Sequence, residues 1–465
     1  MDHGLSTFQS ISLTVNILLG SGFFAIPLAV QQTSILSTLL VTVVVFLLMT
    51  YTCISEASYV LLTQTFLASS KPPEVTIVAK TLSGRKFELT YLSVLSISIF
   101  GAMISYTMLF ADSLTSIITG SQNTSHDSPT YLLCVLAFTL ITTPISLAKV
   151  EEQVWLQTFS FYLRCVLLTI MSATPLVAKF LGRLETSFPS IVDADVAAAP
   201  SFSTAFTGLL GTISFSLFLN STLPTMLDTC KDRKKIGFIT AFSMFLVSAL
   251  IFMLGVCVAV AFGDKTVSPA NLLWTSYQLP LETCGGGCKA ASKVIEVLIL
   301  FFPALDVLSI YSVNCIIITN NVMEGIWGVN WRGAGGGEGG EAAPLMGGGG
   351  GGGGGGEAGK GMAGKEKWVL AGVNVAPILV ALLLPGFSKA IVFTGGISLL
   401  LCLVFPAYLA IRAGADEWRG YKDEGLADSW WNIVGFVDSD AAQYVVLVLG
   451  SILTAVILIN TMILA

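Results

Sequence analysis

Apolar runs long enough to cross the hydrocarbon core of a bilayer recur from one end of this chain to the other, and that repetition limits the fold more than any single motif. They fall at roughly 11–31, 35–62, 89–118, 130–148, 154–178, 205–229, 236–262, 292–319, 368–386, 388–412 and 442–464, eleven in all. In lipid every backbone polar group must be satisfied inside the protein, so runs of this length read as helices. The expected fold class is all-α integral membrane, with the lipid bilayer as a partner. Only 11% of the 465 residues are charged, against roughly 25% in soluble domains. The net charge of −6 comes with no basic stripe to neutralise a phosphate backbone, which excludes nucleic acid.

The spans divide the chain into a short tail (1–10), eight helices (11–332), a glycine-rich loop (333–366) and three more helices (367–465). The loop carries ten consecutive glycines at 347–356 and reads as a disordered linker. The tail has no Lys or Arg, and the first apolar run lacks a small-residue cleavage site, so the segment is not a secretory signal peptide. With the N-terminus cytoplasmic, inner loops hold 16 Lys and Arg and outer loops 6, a bias that orients the chain with its C-terminus extracellular or lumenal. Either the plasma membrane or a vacuolar or lysosomal membrane fits that charge rule. Asn123-Thr-Ser, a glycosylation acceptor, then falls in an outer loop. The nine cysteines form no metal-ligating cluster, and Cys284 and Cys288, in one Gly-rich loop, are the pair that invites a disulfide.

Two spans resist continuous helix. The first carries Asn16, Gly20, Ser21, Gly22 and Pro27; the sixth carries Gly208, Gly211, Phe215, Ser216, Asn220, Ser221, Thr222 and Pro224. A break in hydrocarbon is tolerable only where it is buried or lines a cavity. A close-packed Gly/Ser interface would account for either stretch alone, but paired interruptions in corresponding positions of two five-helix halves mark an inverted-repeat transporter with its binding site at the breaks.

The run Asn16-Ile-Leu-Leu-Gly-Ser-Gly-Phe-Phe-Ala-Ile-Pro27 resembles the first-helix signature of the amino acid/auxin permease family. Gly101 through Asp112 resembles that family's third helix, Leu223-Pro224 with Asp228 its sixth, and Gly395 through Pro406 its tenth. The resemblance implies a LeuT-like 5+5 inverted repeat plus one extra helix, moving small amino acids by alternating access. It further implies that Gly20, Ser21 and Gly22 offer backbone amides to the substrate carboxylate, that Tyr106 adds a hydroxyl, and that Phe215, Ser216 and Asn220 line the rest. Asn16 would supply an oxygen to a coupling cation, sodium or a proton. Many members carry a His-Pro pair where this chain has Leu219 and Asn220, so substrate preference does not transfer.

Arg164 lies mid-way along the fifth span and Asp306 along the eighth, where an unpaired charge costs at least roughly 2.5–3.5 kcal/mol. Each needs a partner, and the implied fold brings both beside Asn16. Ser309 and Ser312 follow Asp306 as further candidate cation ligands. Arginine does not titrate in proteins, so a driving proton needs a carboxylate: Asp306 first, then Glu56 or Asp112. A static buried ion pair would fit the same residues. An ion channel lacks its filter-like loop here, and an enzyme its nucleophile with adjacent base or phosphate loop. A transporter-like amino-acid sensor differs from a transporter in showing no net flux.

Overall fold

Side chains that can satisfy the first free amides of a helix stand where helices begin. Ser6 and Gln9 form a reciprocal capping box at Thr7, Ser34 caps the helix from Ile35, and Ser201 caps the one from Phe202. The computed structural model describes residues 5–67, 72–122, 128–146, 154–189, 200–281, 286–327, 355–383, 386–413 and 440–464. Among these, nine stretches are helical, long and apolar enough to cross a membrane. The first span, too interrupted to pass that criterion, and the ninth, with its shorter apolar helix Trp368–Ala381, bring the total to one compatible with the eleven expected.

The spans are Thr7–Leu18 continued by Ile26–Gln32 (first), Ile35–Phe66, Arg85–Thr119, Pro129–Ser146, Val154–Phe180, Phe202–Ser216 continued by Leu223–Thr229 (sixth), Ile236–Phe262, Gly286–Trp327, Gly355–Ala381, Phe387–Ala413 and Asp440–Leu464. The third, sixth and tenth are mostly buried, whereas the second, fourth and eleventh turn apolar faces outward. Leu36, Leu40, Val44 and Leu47 on the second span, and Val445, Val448, Ile452 and Ile459 on the eleventh, are exposed. Continuous apolar faces of this extent need lipid against them.

Two elements differ from the sequence expectation. The ninth helix starts at Gly355, so residues 355–366, expected in the disordered loop, are helical. There Glu357, Ala358, Lys360 and Met362, all good helix formers, interrupt the glycines. A short amphipathic helix, Val75–Ser83, occupies the second-to-third loop and buries Val75, Val78, Ala79 and Leu82 against the third span.

The N-terminal segment is strapped to the far end of the sixth span. Leu5 forms a parallel bridge with Cys230: its N–H donates to the Thr229 carbonyl at 2.8 Å, and the Lys231 N–H donates to the Leu5 carbonyl at 3.1 Å. The two interrupted spans are thereby joined at one end.

Candidate functional site

Both interruptions are made by the same local chemistry. The first half of span one closes its last turn with Leu19 N–H on the Val15 carbonyl, then Gly20 adopts an extended conformation and Ser21–Phe24 forms a 3-10 turn before helix resumes with Pro27 in its first turn. In span six the helix ends at Ser216, Asn220–Thr222 forms a 3-10 turn, and Pro224 opens the second half. Proline lacks an N–H, so a helix can start on it but not run through it without losing a bond.

The breaks face one another. A Cβ on Gly20 would stand 2.7 Å from the Tyr106 hydroxyl, and one on Gly22 would overlap Ser216 Oγ and stand 2.7 Å from the Phe215 ring. Only glycine permits that approach. Ser21 shares a 3.1 Å hydrogen bond with Ser105 of the third span. Between the breaks lies a cavity of about 20 Å³, lined by Leu18, Gly20, Tyr106, Phe215, Ser221, Asn314 and apolar neighbours, with no charged side chain. It holds little more than a water, so this arrangement is closed and has to widen to admit an amino acid. A larger groove of about 410 Å³ between the third and tenth spans, lined by Ile97, Phe100, Ile104 and Phe393, is almost wholly apolar and unsuited to a zwitterion.

Beside the cavity sits an ion pair with no exposure to solvent. Arg164 Nε donates to Asp306 Oδ1, and Arg164 Nη1 donates to the main-chain carbonyl of Asn16. The Asn16 carbonyl belongs to the last turn of the first half-helix, where carbonyls lose their intrahelical partners and the dipole is negative. Arg164 therefore caps the broken helix with a fixed positive charge, and Asp306 balances it. Tyr106 stands within electrostatic reach of both and is hydrogen-bonded to the Asn314 side chain.

On the other side of the sixth-span break, Asn220 Nδ2 donates to Glu56 Oε2, and the Cys53 thiol donates to Asn220 Oδ1 at 3.2 Å. Tyr91 donates to Glu56 Oε1 at 3.3 Å.

The transmembrane amino acid transporter protein family matches this chain over residues 3–437. The chain belongs to that family. No curated protein matches its sequence significantly. Among solved structures, MhsT in complex with L-phenylalanine matches with TM-score 0.62 and 12% identity, over 97% of this chain and 99% of that one. A manganese transporter from Eremococcus coleocola matches with TM-score 0.59 and 12% identity, over 98% of this chain and 86% of that one. The fold is thus the LeuT-like fold of membrane transporters, and the protein is an integral membrane transporter and not an enzyme.

In this transporter Gly20, Tyr106 and Phe215 line the cavity, while Ser21 and Gly22 continue the same break. Ser216 is packed against Gly22 with its hydroxyl donated to its own helix at Thr212, so it shapes the break without lining the cavity. Asn220, expected beside the substrate, does not line this closed cavity. Both ends of its amide are engaged, the nitrogen by Glu56 and the oxygen by Cys53. Ser312 is buried on the eighth span. The side chain of Ser309, together with Asn123 and Cys284, lies outside the described residues, and Cys288 is disulfide-bonded. Sequence reasoning missed Asn314, although Asp306, Ile310 and Asn314 follow one another at the four-residue spacing of a single helix face. Ser221 and Thr222, passed over in favour of Asn220, are the polar residues of the sixth-span turn that reach the cavity.

Proposed function

We propose that this chain is a secondary active transporter of small neutral amino acids, working by alternating access and coupled to a cation. The observation that carries the reading is the convergence of two broken spans on one uncharged cavity. The backbone amides at the start of the 3-10 turn of the first break, around Ser21 and Gly22, suit a carboxylate, and the hydroxyls and amide of Tyr106, Ser221 and Asn314 suit an amino group. Once the cavity widens, Phe215, Phe218, Ile310 and Ile17 would face an apolar side chain, and they offer no partner to a charged one. That MhsT has been solved with L-phenylalanine shows an amino acid held by this fold. The manganese transporter suggests metal cargo as a second reading, but the cavity lining here has no carboxylate, imidazole or thioether to hold one.

A proton is favoured over sodium as the coupling ion, because the Arg164 guanidinium occupies the negative end of the first half-helix and would repel a second cation there. The charge bias of the loops supports a cytoplasmic N-terminus. Purified protein in proteoliposomes, offered labelled neutral, acidic and basic amino acids under separate sodium and pH gradients, tests the reading. Accumulation of small neutral amino acids driven by an inwardly directed proton gradient, acidic outside, is expected. Binding without accumulation would make the protein a sensor, and uptake of charged amino acids alone would remove the substrate assignment.

A further inference from the structure

Glu56 is wholly buried on the second span, yet its surroundings differ from those of Asp306. Asp306 has Arg164 against it. Glu56 has only neutral donors: Asn220 from the sixth span and Tyr91 from the third. The other titratable groups facing it are thiols, Cys53 on its own helix and Cys402 on the tenth span. Among the described residues no Lys or Arg pairs with it. An isolated carboxylate inside a membrane protein is expensive unless it takes up a proton, and such groups mark proton pathways.

We propose that Glu56, and not Asp306, takes up the coupling proton, and that Asn220 conveys its protonation to the broken sixth span. This rests on the reading of the chain as a cation-coupled amino-acid transporter. The same two partners serve both protonation states, but only the protonated one leaves no net charge in the pocket. Ionised, the carboxylate accepts from Asn220 and from Tyr91; protonated at Oε1, it donates its O–H to the tyrosine oxygen while Oε2 still accepts from Asn220. Asn220 opens the 3-10 turn Asn220–Thr222, and the next two residues, Ser221 and Thr222, line the substrate cavity. The turn also packs against Leu400–Val404 of the tenth span, which brings Cys402 close to the backbone of Leu219 and Asn220, so the break lies between the second and tenth spans. Cys402 itself lies in a π-helical turn, Leu400–Val404, a distortion often found at functional sites. Loss of the proton leaves a bare charge in this pocket, relieved when the sixth span moves and admits water.

Full-length protein in proteoliposomes, assayed with radiolabelled L-alanine, tests the proposal. Glu56→Gln mimics the protonated form: it is expected to lose accumulation driven by the pH gradient while keeping exchange of external for internal alanine. Whatever uptake remains in Asp306→Asn is expected to keep its response to the gradient. Gradient-driven accumulation by Glu56→Gln would overturn the proposal. Tyr91→Phe, which keeps the carboxyl, is expected to move the pH of half-maximal uptake, and an unmoved midpoint would count against it. Infrared spectra taken across pH give an answer independent of substrate. A protonated-carboxyl band absent from Glu56→Gln and retained in Asp306→Asn supports the assignment, and a band lost only in Asp306→Asn refutes it. Failure of unaltered protein to transport any amino acid would sink the function proposed above and leave the infrared result to decide on Glu56.

Discussion

At the first break a single methyl group is the smallest change the site can feel. Gly22→Ala would press Cβ into the short Ser216 side chain and the Phe215 ring, neither of which can swing clear, whereas Gly20→Ala meets the far end of Tyr106. Overpacking of this kind costs about 1–3 kcal/mol of stability, so Gly22→Ala should lower the midpoint of thermal unfolding in detergent and reduce uptake, with a smaller loss for Gly20→Ala. Gly208→Ala, which meets nothing within 4 Å, is the control, and an equal loss there would remove the steric argument. The Arg164–Asp306 pair yields a second expectation. Asp306→Asn leaves the guanidinium uncompensated, at about 3–5 kcal/mol, and should lower the midpoint of thermal unfolding in detergent. Arg164→Met combined with Asp306→Leu should recover most of that stability; no recovery would mean the charges do more than balance each other. Arg164 and Asp306 were legible in the sequence because a charge in an apolar run has to find a partner. The direction of Asn220 was not, since a broken turn has no periodicity from which to read which way a side chain points.

The two interrupted spans were legible as elements because glycine and proline act on the backbone directly, wherever the rest of the fold lies. The helix Val75–Ser83 was not. It is too short to register as a span, and its apolar face has meaning only against the third span. The strap between Leu5 and Cys230 was equally hidden, because its bonds are between backbone groups and any sequence could make them. Leu5→Pro removes the N–H that reaches the Thr229 carbonyl. A lost hydrogen bond of about 0.5–1.5 kcal/mol should speed amide exchange at Lys231 by about 2- to 10-fold. Exchange unchanged at Lys231 and faster only in the first turn of span one would show that the strap does not hold the sixth span.

For the whole molecule, hydropathy alone carried the number of spans, since each had to satisfy its backbone in lipid independently of the others. The shape of the cavity came from contacts between spans far apart in sequence, such as Gly22 with Ser216 and Arg164 with Asn16, and those are properties of the assembled bundle. The central claim is that two breaks, one favouring negative charge and one offering polar side chains, together hold a zwitterion. Competition against uptake of a labelled small amino acid tests it most directly, using the unlabelled amino acid, its methyl ester, its decarboxylated amine and its deaminated acid. The account predicts that only the compound bearing both charged groups competes effectively, each altered analogue being at least about tenfold weaker, as loss of a charge-assisted hydrogen bond of about 1.5–3 kcal/mol implies. Equal competition by the decarboxylated amine would contradict it, because nothing at the first break would then be gripping a carboxylate.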